Sequence, residues 1–173
     1  MLVGKYSGNA AGQGSAAAQS GLLLVKGTVS GEGDDTGKKI LWKETDGLQC
    51  TIGGQQNHLK GLIGSSGSGV KTNDGTFLFP LEAMKKDENK KTVSLLIYTS
   101  DTASCTLSNG MSDDGCSYPS VVEWEKDKLM MMTACDDGRR RVYESADKGN
   151  TWTEALGTLS RVWGSKHKEG EEK

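Results

Sequence analysis

Ser145-Ala146-Asp147-Lys148-Gly149-Asn150-Thr151-Trp152 is the stretch that decides how this 173-residue chain is read. It fits the pattern Ser-x-Asp-x-Gly-x-Thr-Trp at every fixed position. Each fixed residue has a physical task in a closed turn. Asp147 can accept hydrogen bonds from backbone amides of its own loop, as Asx turns do. Gly149 supplies a positive φ, and Trp152 tucks its ring against the sheet beside the turn. A decayed copy lies upstream at Thr99-Ser100-Asp101-Thr102-Ala103-Ser104-Cys105, one residue shorter, with Asp101 and Ser104 kept and Cys105 in the place of the tryptophan. The two aspartates are 46 positions apart, about the length of one four-stranded blade in a radially repeating β architecture.

Working outward, strand-like runs recur with turn signals between them. Leu22–Val29, Lys39–Trp42, Thr76–Leu81, Thr92–Thr99, Pro119–Glu125, Lys128–Thr133 and Arg141–Ser145 read as strands, and Trp152-Thr153-Glu154 begins another. Thr45-Asp46-Gly47, Asn73-Asp74-Gly75 and Lys126-Asp127 read as turns, and Ala10–Ser20 and Ile63–Val70 as long loops. No amphipathic helix longer than two turns stands out. The chain has 24 Gly and only 2 Pro, a composition that turns often and mostly through glycine. An all-β chain is the expectation.

The same residues exclude several functions. The net charge is −2 with both signs interspersed, which gives little footing for a nucleic-acid groove or a membrane-surface patch. Arg139-Arg140-Arg141 is the one concentrated basic run in the interior, and it reads as a strand edge with a solvated face. No stretch approaches the ~18 apolar residues of a membrane span, and Met1–Tyr6 lacks the apolar core of a secretory signal. The charged segment Lys166–Lys173 reads as a disordered tail after a domain over residues 1–165, and it is no lipid-anchor signal. Cys50, Cys105, Cys116 and Cys135 are widely spaced and form no CxxC unit, and only His58 and His167 could join them. A zinc site therefore has no support. Buried free thiols are the expected state, and the spacing selects none of the three full pairings. Asp113-Asp114 and Asp136-Asp137-Gly138 read as turn residues rather than calcium ligands, and Met130–Met132 as a buried strand. Trp42, Trp124, Trp152 and Trp163 read as packing residues. No cofactor is expected.

The eight-residue unit resembles the Asp box of sialidases. A longer stretch carries a more specific likeness: Gly115-Cys116-Ser117-Tyr118-Pro119-Ser120-Val121-Val122-Glu123-Trp124-Glu125, then Arg139–Asp147, then Ala155–Gly164. In order and spacing it resembles the catalytic-domain centre of the trypanosomal trans-sialidase superfamily. The likeness extends weakly through Leu22–Val29, Leu62–Leu81 and Val93–Ser100. The resemblance implies part of a six-bladed sialidase-type β-propeller, about three to four blades of it. An open piece of a propeller leaves apolar blade faces uncovered, so marginal stability and association are expected.

The resemblance also implies a chemistry. Enzymes of this kind are retaining glycosidases with a tyrosine nucleophile whose proton a buried glutamate takes. An aspartate serves as acid and base, and three arginines grip the sialic acid carboxylate, because a guanidinium pairs with it in bidentate fashion. The glutamate belongs between Ser and Pro of a Cys-Ser-Glu-Pro segment, and that place is Tyr118 here. A phenol with a pKa near ~10 is no base at neutral pH. Glu123 and Glu125 lie five and seven residues further on, too far along a strand to take over. The second arginine of the triad falls on Ala134, or on Cys135 if the lengths differ by one. The Arg139–Arg141 run is implied beside the triad arginine in active relatives, so it is no displaced replacement. The first triad arginine, the acid/base aspartate, the nucleophilic tyrosine and the third arginine are implied to lie beyond this chain. An aromatic that holds the galactose acceptor would fall near Ser20 and is absent.

The expected function is therefore that of a catalytically degenerate trans-sialidase-like surface protein that retains Ser145, Asp147, Gly149, Thr151 and Trp152 as a structural turn. Its implied partners are sialylated or galactose-containing glycans or host surface proteins, at a cell surface or secreted. Two alternatives stand beside it: an active exo-α-sialidase or trans-sialidase domain, and a generic interaction propeller.

Overall fold

A computed structural model describes residues 1–5, 21–30, 38–47, 49–51, 58–65, 67–100, 104–155 and 162–163. Every regular element among them is a strand. The first sheet orders β1 (Leu2–Lys5), β2 (Gly21–Ser30) and β3 (Lys39–Gly47). The second is built from β4 (Gln49–Thr51), β5 (Leu59–Gly64), β6 (Val70–Lys71), β7 (Phe77–Lys85), β8 (Thr92–Thr99) and β9 (Ser104–Leu107), in the order β4-β9-β8-β7-β5 with β6 also on β7. The third orders β10 (Cys116–Glu125), β11 (Lys128–Cys135), β12 (Arg139–Ser145) and β13 (Thr153–Glu154), and β14 (Val162–Trp163) also pairs with β12. All pairings are antiparallel except β4 with β9.

The core follows from the sequence of β8, Thr92-Val93-Ser94-Leu95-Leu96-Ile97-Tyr98-Thr99. Side chains alternate faces along a strand, so a strand apolar at consecutive positions has something to bury on both sides. Val93, Leu95 and Ile97 pack with Leu22, Leu59, Leu81 and Ala83, joining the first sheet to the second. Leu96 on the opposite face packs with Leu78, Leu129, Met131 and Tyr143, joining the second sheet to the third. The buried Ser94 is accommodated by hydrogen bonding: its backbone N–H donates to Ser112 Oγ at 2.9 Å, and its hydroxyl donates to Cys116 O at 3.1 Å.

Turns fall largely where the sequence places them. Asp127 takes φ 62° in the β10–β11 hairpin, and Gly75 takes φ 89° before β7. Thr45-Asp46-Gly47 differs: it lies in β3, paired with Val25, Leu24 and Leu23. A bulge at Val25/Gly27 resets the register and lets the pairing continue, so tertiary pairing overrides turn propensity. Ile63 and Gly64 belong to β5 and Val70 to β6, which shortens the expected loop from both ends. The stretches 10–20, 101–103 and 166–173, with their expected loop, decayed box and tail, lie outside the described residues.

Four further expectations are overturned. None of the described cysteines is a free thiol: Cys116 is bonded to Cys135, and Cys105 is also in a disulfide. The reason is register, because Cys116 and Cys135 stand directly opposite on β10 and β11, with Cα atoms 4.0 Å apart. Arg139–Arg141 is not a strand edge, since β12 is flanked by β11 on one side and by β13 and β14 on the other. Trp124 and Trp42 are half exposed rather than packed away, and Lys128 Nζ sits 5.2 Å from the Trp124 ring centre. Trp152 does pack against the Leu96–Met131 cluster. The side chain of Trp163 lies outside what is described. Met131 is fully buried between the partly buried Met130 and Met132, as a strand from a packed sheet requires.

Replacing Cys116 and Cys135 together by serine opens a loop spanned by a sequence separation of 19 and is expected to cost about 3 kcal/mol by loop entropy. Urea unfolding of the double variant against the parent checks it through the shift in midpoint.

Candidate functional site

The third sheet carries a different device at each end, and the strand register says which. At one end Ser117 pairs with Ala134, which in turn pairs with Arg140. At the other end Leu129 pairs with Ser145, the first residue of the box.

The first end is held from several directions. Beside the disulfide, Gly115 N donates to Thr92 O at 2.8 Å and Ser65 Oγ donates to Pro119 O at 2.6 Å. Gly67 passes so close to Pro119 that a Cβ there would meet Pro119 O at 2.8 Å. Between Ser117 and Ser120 the ladder breaks, and in that break Tyr118 takes φ 52°. A left-handed φ at a tyrosine is a strained backbone maintained by its surroundings. The Tyr118 N–H donates to Glu82 Oε1 at 2.8 Å, while the Tyr118 side chain is 60% exposed. Ala134 is buried beside it. Tyr118 and Ala134, 16 positions apart in sequence, are thus brought to one end of one strand pair.

Arg141, one strand over, is committed. Its guanidinium donates to Asp113 Oδ2 and to Asp137 Oδ2, each at 2.9 Å. The bond to Asp137, first among the causes, drives the group further into its cationic range. Asp113, Asp114, Asp136 and Asp137 are accounted for as partners of Arg141, Lys85, Lys91 and Arg141 respectively. No cluster of metal-binding type occurs among the described residues. Glu123 and Glu125 belong to the far end of β10. Glu123 accepts the backbone N–H groups of Asn73 and Asp127, both at 3.2 Å, and Glu125 pairs with Lys128 at 2.7 Å.

At the second end the box closes on itself. Gly149 N donates to Ser145 Oγ at 2.7 Å, and Ser145 Oγ donates to Asp147 Oδ1 at 2.8 Å. Thr151 donates twice to Asp147, from N at 2.9 Å and from Oγ1 at 2.7 Å. Gly149 stands at φ 85°. The Thr151 bonds, then the Ser145 bond, hold the Asp147 carboxyl below its ordinary value. Thr72-Asn73-Asp74-Gly75-Thr76 repeats the device in small: Asp74 Oδ1 accepts Thr72 Oγ1 at 2.6 Å and Thr76 N at 3.0 Å. Lys148 ties the two turns together, with Nζ 2.7 Å from Asp74 Oδ2 and 3.1 Å from Asp127 Oδ1. Sequence reasoning missed the roles of Glu82 and Lys148. Glu82 occupies an ordinary alternating position of β7, and Lys148 a variable position of the box, so neither carried a signal.

Comparison with known proteins agrees with this architecture. All of residues 1–173 match the family model described as a BNR repeat-like domain. The chain belongs to that family. Within reach of this BNR repeat-like chain are the trypanosomal sialidases. It is 42% identical over 151 residues to sialidase 85-1.1 of Trypanosoma cruzi, covering 84% of this chain and 19% of that protein. A second Trypanosoma cruzi sialidase is 34% identical over 148 residues, with 83% and 12% covered. Among solved structures, Trypanosoma rangeli sialidase in complex with sialic acid superposes with a TM-score of 0.73 at 30% identity, over 94% of this chain and 26% of that one. The chain thus spans about a fifth of the first curated relative and about a quarter of the solved sialidase. The three sheets are blades of the sialidase-type β-propeller, in line with the three to four expected.

Asp147 and Asp74 are both held below the ordinary aspartate value near 3.8. The stability they contribute is therefore present above that value and is lost as pH falls through their lower folded values. The chain is expected to lose thermal stability as pH drops below about 4, and Asp147→Ala to show a lower midpoint at pH 7 with a weaker acid dependence. Thermal melts of both proteins across pH 2–7 check this.

Proposed function

We propose that this chain is a catalytically degenerate sialidase-like module whose role is binding or display at a cell surface, not glycoside hydrolysis. The observation that carries the proposal is that Ala134 pairs with Ser117, the residue before Tyr118, so that Tyr118 and Ala134 share one end of the β10–β11 strand pair. The family resemblance puts a proton-accepting glutamate and a carboxylate-gripping arginine at those two positions. A phenol and a methyl group stand there instead. Loss of a general base costs typically about 10²–10⁴-fold, and removing one charged partner of a carboxylate clamp costs about 2–5 kcal/mol of binding. Together these losses leave no turnover and weaken the hold on a sialic acid carboxylate. The remaining contacts suit sialylated or galactose-containing glycans or host surface proteins, presented by a protein at the cell surface or secreted.

A second reading, an active exo-α-sialidase, has one observation in its favour. Glu82 places a carboxylate oxygen 2.8 Å from Tyr118 N, and Arg140 is the cross-strand neighbour of Ala134. Glu82 Oε1 is, however, already engaged by the Tyr118 backbone amide. The resemblance gives the Arg139–Arg141 run to active relatives in addition to the triad arginine.

Binding of α2,3-sialyllactose, followed by saturation-transfer NMR, separates the two readings. Ala134→Arg is expected to tighten binding by about tenfold or more, since it restores one charged contact. An Ala134→Arg variant that binds no better, while Arg140→Ala abolishes binding, would sink the proposal in favour of the second reading.

A further inference from the structure

We propose a second binding site at the box end of the molecule, shaped for an uncharged pyranose sugar. A cleft of about 380 Å³ opens there between the second and third sheets, within the size range of small-molecule sites. It is independent of the Tyr118 end, from which β10 and β11 separate it. Its floor includes Leu78, Leu107 and Leu129, each no more than 3% exposed. Such a floor suits the C–H face of a sugar ring.

The rim alternates acceptors and donors. The carboxylates of Asp74 and Asp127 flank the Lys148 ammonium. Across the cleft, Asn109 Nδ2 donates to Asn150 Oδ1 at 3.1 Å. The other two amide atoms, Asn109 Oδ1 and Asn150 Nδ2, are an acceptor and a donor on the same rim. Vicinal hydroxyls both donate and accept, so they match such a rim over an apolar floor.

Charge decides the class of guest. The lining carries Asp74, Asp127 and Glu123 against the single ammonium of Lys148. An anionic sugar such as sialic acid would meet three carboxylates and is disfavoured. A cation finds the seat between Asp74 and Asp127 already taken by Lys148 Nζ, at 2.7 and 3.1 Å. A neutral polyol needs neither seat. Three lining groups also have displaced proton equilibria: Asp74 is lowered chiefly by its bond to Lys148, Lys148 is raised by the same bond, and Tyr98 is raised by burial. Clustering of that kind in one cleft accompanies binding function more often than chance.

The test is methyl-resolved NMR of the full chain, titrated separately with the methyl pyranosides of glucose, galactose and mannose, and with free sialic acid. At least one pyranoside is expected to shift the methyl resonances of Leu78, Leu107 and Leu129. Thr106→Trp alters an exposed position on the cleft lining and is expected to weaken that titration about tenfold or more, with an unchanged circular dichroism spectrum. Asn109→Ala, a smaller change, is expected to weaken it as well. The proposal is overturned if no pyranoside moves those methyls, if both variants leave the titration intact, or if sialic acid moves them more strongly than every pyranoside.

Discussion

Strand β8 is buried on both of its faces, and the placement of everything else depends on that. A strand with Val93, Leu95 and Ile97 on one side and Leu96 on the other stays dry only between two further sheets. The first sheet supplies Leu22 for one face, and the third supplies Leu129, Met131 and Tyr143 for the other. Two serines inside this stack are matched by hydrogen bonds. Ser94 bonds Cys116 O, and Ser108 Oγ accepts Leu96 N at 3.0 Å. The Ser94 bond also fixes the start of β10, and with it the residues that follow.

From that start the register of β10, β11 and β12 separates two regions of different chemistry. One end is rigid by construction. A disulfide, a buried proline and two close glycines surround a tyrosine held at positive φ. Sites that impose geometry on a reacting group are commonly strained in this manner, and here the strained residue is Tyr118. The other end is a closed turn in which one carboxylate accepts three hydrogen bonds from its own loop. Its lysine reaches across to a neighbouring sheet. Exposed ion pairs of this type contribute little individually. Lys148 instead sets how the turn before β7, the β10–β11 hairpin and the box sit together, and so the shape of the cleft beneath them.

Much of this was legible in the residues. The box announced itself because each fixed position answers to a hydrogen bond, a backbone angle or a packed ring, and β8 matches its expected bounds because β-branched and apolar residues fill most of it, with Ser94 the one small polar residue inside. Arg141 was misjudged because sequence shows three adjacent charges, not the aspartates that two turns bring to the third of them. The cysteine pairing was hidden because a 19-residue separation becomes a cross-strand contact only once register is known. Thr45-Asp46-Gly47 carries turn chemistry that a neighbouring strand overrode. The nearness of Tyr118 to Ala134 could be expected from family likeness alone, whereas Glu82 beside Tyr118 needed three dimensions.

The central claim is that the Tyr118 end no longer supports sialidase chemistry. The most direct measurement is release of free sialic acid from α2,3-sialyllactose by the folded chain over a day, read by NMR. The account predicts no release above a buffer blank, and none from a Glu82→Gln variant either. Steady release by the parent chain that disappears in Glu82→Gln would contradict it, and would assign to Glu82 the proton-accepting role that Tyr118 cannot fill.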